Sequence, residues 1–237
     1  MNDFKTILQQ TLAEYHILLD EKAVDRLCGY DDLLIEWNQV MNLTALTEPQ
    51  DVALKHFADS LMLLSYCEIP QGASLIDVGT GAGFPGLVLA IARPDLHITL
   101  LDSLQKRLNF LEEVCTALSI SNVTTVHSRA EDGARTVLRD SFDFAVARAV
   151  APLNVLCEYC LPYVKVGGSF LAMKGKSASE ELAEARRAIE LLGGEVVQKE
   201  VFTLGEAGER GIIGIRKTTP TPTSYPRKSK QIKNHPL

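Results

Sequence analysis

The hydrophobic pattern of this chain changes character near residue 71. Before that point, apolar side chains recur at steps of three and four residues, which is the spacing of one face of a helix. One such stripe consists of Val24, Leu27, Leu34, Trp37 and Met41. Residues 47–50 (TEPQ) have the pattern of a capping box with a proline in the first turn, and they predict the start of another helix. We therefore expect a helical N-terminal extension over residues 1–71.

From residue 72 to residue 216, short apolar runs alternate with amphipathic helical patterns. The predicted strands are 75–78, 97–101, 123–127, 143–147, 168–173, 195–202 and 210–216. Apolar strands that alternate with helices are typical of a parallel sheet covered on both faces. The last two strands lie about eight residues apart, too close for a crossover helix, so we expect them to pair antiparallel.

Residues 75–86 (LIDVGTGAGFPG) form the most informative motif of the chain. An apolar run ends in Gly79, Gly81 and Gly83, and a proline and a helical pattern follow. This order predicts a strand, a tight turn and a helix N-terminus, where backbone without side chains lets a nucleotide-like ligand approach closely. Residues 81–86 also match G-x-G-x-x-G, so the turn alone does not decide which adenosine cofactor binds.

Polar residues follow the predicted strands at the edge where open α/β sheets bind their ligands. Asp102 follows the second strand and suits hydrogen bonds from ribose hydroxyls. Glu131 lies after the third strand, while Arg148 and Lys174 follow the fourth and fifth. We therefore expect a cleft that is acidic in its first half and basic in its second.

These charges favour S-adenosylmethionine over NAD. The pyrophosphate of NAD prefers neutral or cationic groups at the helix N-terminus, whereas S-adenosylmethionine carries a sulfonium and an ammonium but no phosphate. Asp77 is badly placed for a pyrophosphate and well placed for the cationic methionyl end. The predicted cofactor-binding residues are Asp77, Gly79, Gly81, Gly83, Asp102 and Glu131.

Composition and charge add further bounds to this chain of 237 residues. No apolar run approaches the roughly 20 residues of a membrane span, and the N-terminus lacks the apolar segment of a signal peptide. Five scattered cysteines indicate reduced thiols of a cytoplasmic protein, and we expect no metal.

The net charge is −6, yet residues 217–237 carry five basic residues and no acidic one. We expect a basic, flexible tail that is either simply solvated or contacts a polyanion.

Several motifs in combination resemble one known family. They are WN at 37–38, NLT at 42–44, HFADSL at 56–61, DVGTGAGFPG at 77–86, RAE at 129–131, ARA at 147–149 and MKGK at 173–176. The chain resembles the bacterial small-subunit ribosomal RNA guanine-N7 methyltransferases, also called glucose-inhibited division protein B. The resemblance implies a Rossmann-like class I S-adenosylmethionine-dependent methyltransferase, an α/β fold whose mostly parallel sheet has an antiparallel closing strand. By motif match, the cofactor site would be lined by Gly79, Phe84, Ala130, Glu131 and Arg148.

The resemblance also implies the acceptor, a guanine in the decoding-site region of 16S ribosomal RNA. Residues 147–150 (ARAV) stand where amine methylation usually has an Asn/Asp-Pro-Pro-aromatic motif, and the sequence lacks a Pro-Cys pair for attack on a pyrimidine carbon. Guanine N7 has a free lone pair, so its methylation needs orientation and electrostatics but no general base. Arg148, Lys174 and Asn42 are the candidates for orienting the substrate, although Asn42 equally suits a helix cap and Arg148 a contact with the cofactor.

We therefore expect a monomeric cytoplasmic enzyme that methylates 16S ribosomal RNA, either free or in the small ribosomal subunit. Its methyltransferase domain would span residues 72–216, between the helical extension and the tail. Three alternatives remain open: a methyltransferase of small molecules, an NAD-dependent dehydrogenase, and an RNA-binding module without catalysis.

Overall fold

The computed structural model describes residues 3–237. Helical segments come first: α1 (Asp3–Glu14), α2 (Glu21–Met41), α3 (Pro49–Asp51), a π-helical turn (Val52–Ala58) and α4 (Asp59–Tyr66). The last three are continuous along the chain. Asp20 is the N-cap residue of α2, and its side chain accepts a hydrogen bond from the Ala23 amide at 2.7 Å. The helix ends at Asn42, which adopts the left-handed conformation.

An α/β domain follows the helices. Its elements are β1 (Ser74–Val78), α5 (Gly86–Ala92), β2 (His97–Asp102), α6 (Gln105–Ala117), β3 (Val123–His127), α7 (Ala130–Gly133), β4 (Phe142–Arg148), α8 (Leu153–Cys160), β5 (Val164–Lys174), α9 (Ala178–Leu191), β6 (Gly194–Thr203), β7 (Glu209–Lys217) and α10 (Ser229–Asn234). The strands form one sheet in the order β3-β2-β1-β4-β5-β7-β6. Strands β1 to β5 pair in parallel, and β7 lies antiparallel between β5 and β6. The predicted strands and the antiparallel pairing of the last two are confirmed.

Two apolar cores lie on opposite faces of this sheet. Leu75 and Ile76 are neighbours in β1 but belong to different cores, because successive side chains of a strand point to opposite faces. The N-terminal helices share the first core with α5 and α6, while α8 and α9 pack on the second. The helical extension is thus packed against the sheet. The domain boundaries at residues 71 and 216 stay predictions.

The start of the third helical segment differs from the prediction of a capping box. Glu48 is the N-cap residue, its side chain makes no capping hydrogen bond, and Pro49 occupies the first turn. The proline part of the prediction is confirmed, since a ring-locked φ suits a first turn whose N–H groups are free in any case. The predicted N-cap residue, Thr47, is wrong by one position.

The basic end of the chain also differs from the expected flexible tail. Lys217 ends β7, and its fully buried ammonium donates to the Leu161 carbonyl at 3.0 Å and pairs with Asp140. Further on, Ile232 in α10 is completely buried in the second core. Among the helices within residues 3–237, none combines the length and apolar character that a membrane crossing requires.

Candidate active site

A large cavity opens at the carboxyl ends of the parallel strands, where the sequence predicts the ligand. It has a volume of about 930 Å³ and lies among the loops that follow β1, β2, β3 and β4. The predicted residues that line it are Gly79, Gly81, Phe84, Asp102, Ala130, Glu131 and Arg148. These loops converge because parallel strands place their carboxyl ends at one edge of the sheet.

Most backbone N–H groups of the glycine loop after β1 already donate hydrogen bonds to other atoms of the protein. The amides of Gly79 and Thr80 donate to the Leu101 carbonyl at 2.8 and 3.0 Å, and those of Gly83 and Phe84 donate to the Thr80 carbonyl at 2.9 and 3.1 Å. The Gly81 amide donates to the Asp102 carboxylate at 3.0 Å. A pyrophosphate cradle needs such N–H groups free and aimed at the ligand. This loop therefore has the shape of a dinucleotide turn, but most of the donors that would bind an anion are already used.

Asp77 lies beneath the glycine loop, and neither Asp77 nor the loop residue Gly83 is among the described residues that line the cavity. The fully buried Asp77 accepts hydrogen bonds on Oδ2 from the Thr80 hydroxyl at 2.7 Å and from the Gly86 amide at 2.8 Å. Burial raises the pKa of Asp77 to about 6. Its position holds the loop against α5, and contact of Asp77 or Gly83 with a cofactor stays a prediction.

Two buried carboxylates face the cavity from the loops after β2 and β3. Asp102 is 3% exposed and links two turns, since it accepts from the amides of Gly81 and Leu104 at 3.0 and 2.9 Å. Glu131 in α7 is 6% exposed. The two predicted carboxylates thus line the cavity and suit a cationic or hydroxyl-bearing ligand. The predicted acidic half also contains cations, because Arg107 and Arg129 line it too and Arg107 Nη1 lies 3.4 Å from Asp102 Oδ2.

Arg148 stands at the basic side and is held by the helical extension. Its Nη1 donates to Asp59 at 2.7 Å and to the Lys55 carbonyl at 3.0 Å, and its Nη2 lies 3.2 Å from His56 Nδ1. The guanidinium also lies 5.1 Å from the centroid of the Phe84 ring. This network ties the π-helical turn to the end of β4.

His56 is a neutral member of that network. Its ring stacks on Phe84 with centroids 4.2 Å apart, and its Nε2 lies 2.8 Å from the Thr44 hydroxyl. Burial, and then the charge of Arg148, lower the pKa of His56 to about 3. Since Arg148 donates to Nδ1, the ring proton of the neutral form belongs on Nε2, facing Thr44.

Lys174 and Asn42 have different positions relative to Arg148. Lys174 donates to the Ala151 carbonyl at 2.9 Å and pairs with Glu181 at 2.7 Å. It lines a second cavity of about 390 Å³ that shares His56, Arg148 and Ala149 with the first. Asn42 is exposed and lies outside the described lining of both cavities, although the two residues after it line the larger one.

Sequence comparison decides the family to which this geometry belongs. A family profile described as rRNA small subunit methyltransferase G matches residues 23–212. A relative of that name from Alkaliphilus oremlandii is 47% identical over 237 residues, covering 99% of each chain. Another of the same name from Geobacillus kaustophilus is 48% identical over 234 residues, covering 98% of each chain. The chain belongs to the rRNA small subunit methyltransferase G family.

Solved structures agree with the methyltransferase G family at the level of the fold. A SAM dependent methyltransferase from Aquifex aeolicus superposes with a TM-score of 0.56 at 19% identity, covering 73% of this chain and 96% of that one. TrmN from Thermus thermophilus gives a TM-score of 0.54 at 17% identity, covering 70% and 53%. The expected class I methyltransferase fold is confirmed.

Sequence reasoning missed one wall of the cavity in this methyltransferase G chain. Ser229, Lys233 and Pro236 line it from the C-terminal segment, next to Tyr159 of α8. Residues 217–237 show no hydrophobic period, and their basic charge suggested solvent or RNA instead of a packed position. His56 was also missed as a lining residue, because its partners come from β4 and from residue 44.

Proposed function

We propose that this protein transfers a methyl group from S-adenosylmethionine to N7 of a guanine in the decoding-site region of 16S ribosomal RNA. Membership of the methyltransferase G family supports methyl transfer to small-subunit RNA. The observation that carries the choice of cofactor is the internal use of the glycine-loop amides, combined with the buried carboxylates of Asp102 and Glu131. Both features oppose a diphosphate and suit a phosphate-free cationic ligand.

The described residues fit this cofactor. A Cβ built on Gly81 meets no atom of residues 3–237 within 4 Å, so the loop leaves room for a ligand at that point. Asp102 and Glu131 would hold hydroxyl and cationic groups, and Gly79, Phe84, Ala130 and Arg148 would complete the wall. When bound, S-adenosylmethionine supplies a methyl group attached to a positively charged sulfur.

Arg148 and Lys174 are proposed to orient the acceptor. A guanidinium has five donors, and three contacts to Lys55, Asp59 and His56 use some of those of Arg148. The remaining donors suit guanine O6 or a phosphate at the boundary between the two cavities. Guanine N7 attacks with its own lone pair and no proton leaves, so these residues contribute position and not base catalysis. The pairing of Arg148 with Asp59 keeps its donors in place before the RNA arrives.

Three finer points belong to the same proposal. We propose that Asn42, exposed at the end of α2, contacts RNA at the cavity rim. The enzyme is proposed to act in the cytoplasm as a monomer. Its substrate is either free 16S ribosomal RNA or the small ribosomal subunit, because both present the same guanine chemistry.

The deciding experiment uses labelled S-adenosylmethionine with naked 16S ribosomal RNA, an assembly intermediate and the complete small subunit. We expect label in at least one of the three, and aniline cleavage at a single new guanine in the decoding-site region. Arg148→Gln should lower kcat/KM by about 100-fold because it removes charge-assisted donors from the acceptor side. Lys176→Ala is the matched control, since Lys176 is an exposed neighbour of Lys174. Label without guanine cleavage would overturn N7 as the target.

A thermal-shift titration separates the cofactors. S-adenosylmethionine should raise the melting temperature in proportion to its occupancy, and NAD at the same concentration should not. Stabilisation by NAD alone would reject methyl transfer. Methylation of a small molecule in a reaction without RNA would favour the small-molecule enzyme, and RNA binding without any transfer would favour a non-catalytic module.

A further inference from the structure

We propose that residues 218–237, here called the C-terminal strap, form a fixed wall of the cofactor cavity and set its affinity for the cofactor. This inference rests on the proposed function for the identity of the ligand. It assigns the strap a binding role that its basic composition does not suggest. Four observations carry it: an ion pair, backbone contacts, a buried apolar anchor and the lining of the cavity.

The first anchor of the strap is a buried ion pair. Arg227 donates to both oxygens of Glu158, with Nε to Oε1 at 2.9 Å and Nη2 to Oε2 at 2.7 Å, and its backbone amide reaches Oε1 at 2.6 Å. Glu158 is 0% exposed in α8. A bidentate pair with a third hydrogen bond fixes both the position and the direction of the chain. A freely moving tail would leave this carboxylate buried without a partner, which is costly.

Hydrogen bonds to backbone carbonyls hold the part of the strap that precedes Arg227 in the sequence. Arg139 donates to the carbonyls of Thr221 and Tyr225 at 2.7 and 2.8 Å, and Arg135 donates to the Pro226 carbonyl. The Thr221 hydroxyl donates to the Leu192 carbonyl at 2.7 Å. Two arginines of the body thus hold backbone carbonyls of the strap.

The third anchor places α10 over the cavity. Ile232 is 0% exposed and belongs to the core formed by α8 and α9. With Ile232 facing inward, Ser229, Lys233 and Pro236 line the same cavity as Glu131 and Tyr159. Lys230 and Lys233 are both exposed, but only Lys233 lines the cavity, where it adds a cation to a lining that already contains Arg107, Arg129 and the two buried carboxylates. Two lysines of one short helix have different surroundings.

The test compares cofactor binding by the wild type and three variants in calorimetric titrations with S-adenosylmethionine and its demethylated product. A chain ending at Arg227 keeps the ion pair but loses the three lining residues, and its dissociation constant should rise by about tenfold or more. Lys233→Ala should weaken binding several-fold in the full chain, because the ammonium of Lys233 is proposed to pair with the carboxylate of the ligand's methionyl end. The matched Lys230→Ala should leave binding unchanged. If the shortened chain fails to fold, the lysine pair still decides the matter.

Equal affinity of wild type, the shortened chain and Lys233→Ala would overturn the inference. Equal weakening by Lys233→Ala and Lys230→Ala would also overturn it, since that result indicates a general charge effect. If the wild type itself binds neither ligand, that result contradicts the proposed function. It is distinct from the results that would overturn the role of the strap. The binding readout needs no RNA, so loss of an RNA contact cannot produce the expected pattern.

Discussion

Gly81 and Gly83 are two residues apart in one loop, yet they are glycines for different reasons. A Cβ on Gly83 would lie 2.5 Å from the Tyr30 hydroxyl and 2.8 Å from Leu111 Cδ2, and its φ is +102°. A Cβ on Gly81 would meet no described atom within 4 Å, and its φ is +62°. The fold requires Gly83, whereas Gly81 borders open space at the cavity.

Alanine at these two positions should therefore separate stability from binding. Gly83→Ala should lower the free energy of unfolding by about 3 kcal/mol, because overpacking and left-handed strain add. Gly81→Ala should cost about 1 kcal/mol of strain but weaken S-adenosylmethionine clearly. Urea denaturation and calorimetric titration measure the two quantities, with Gly175→Ala as a control whose added methyl meets open space. A larger loss of stability for Gly81→Ala than for Gly83→Ala would contradict this assignment.

Asp31 is a second residue whose environment predicts a measurable effect. Its side chain is buried in α2, and burial followed by the charge of Asp32 raises its pKa from 3.8 to about 6. The folded protein thus binds this proton more tightly than the unfolded chain, so the carboxylate is destabilising above pH 6 and neutral in effect below about pH 4.

Asp31→Asn should raise the free energy of unfolding by about 1 to 2 kcal/mol at pH 8. The gain should shrink as the pH falls from 6 to 4, because the wild-type carboxyl becomes protonated there. Denaturation at several pH values tests this, and the exposed neighbour Asp32 provides the control variant Asp32→Asn with a small effect. A gain that stays constant down to pH 4 would rule out titration of Asp31 as the cause.

At the scale of elements, the π-helical turn explains how the extension reaches the site. A π-helical turn shifts the hydrogen-bond ladder by one residue, which frees a backbone carbonyl and is frequent at functional sites. Here the Lys55 carbonyl, His56 and Asp59 all contact Arg148 at the end of β4. The helical period of the sequence does not indicate this turn, because apolar spacing describes the average helix and not one local shift.

Asp59 joins two elements through two arginines, and this predicts the effect of its removal. It accepts from Arg148 at 2.7 Å and from Arg210 of β7 at 3.1 Å, and its side chain is 6% exposed. Asp59→Asn should lower the free energy of unfolding by about 3 kcal/mol, because two partly buried cations lose their counter-ion. It should also lower the rate of methyl transfer, since Arg148 loses its anchor.

Asp51→Asn is the matched control for Asp59. Asp51 pairs with Lys55 at 2.6 Å in the same helical segment, but both side chains are partly exposed. Its loss should change the free energy of unfolding by less than about 1 kcal/mol. Similar losses for the two variants would show that Asp59 is only a surface ion pair.

Much of the architecture follows from sequence patterns alone. The alternation of strands and helices predicts the parallel sheet, and the short gap between the last two strands predicts their antiparallel pairing. The rule that ligands bind at strand carboxyl ends finds Asp102, Glu131 and Arg148. The patterns do not reveal that the Asp77 side chain lies under the loop. They place Asp77 in strand β1, but they do not say whether its carboxylate faces the cavity or the loop. They miss α10 because a short helix anchored by Ile232 has no detectable period.

For the whole molecule, the lysines of the strap divide into two roles. Lys228 and Lys230 are exposed and outside the described cavity lining. The double variant Lys228→Ala/Lys230→Ala should weaken RNA binding and reduce its salt slope by up to about 2, because fewer counterions are released. Its affinity for S-adenosylmethionine should match the wild type. Filter binding at several salt concentrations provides the measurement, and an unchanged slope would mean that the strap contributes nothing to RNA contact.

The position of the strap has a consequence for the order in which the protein becomes competent. Ser229, Lys233 and Pro236 are synthesised after every strand of the sheet, so all strands are present while the cavity still lacks one wall and the second core still lacks Ile232. A nascent chain that has exposed β7 but not α10 is therefore incomplete both as a binding protein and in its core. Premature stop products that end between these two elements should be less stable than the full chain and should not sequester the methyl donor.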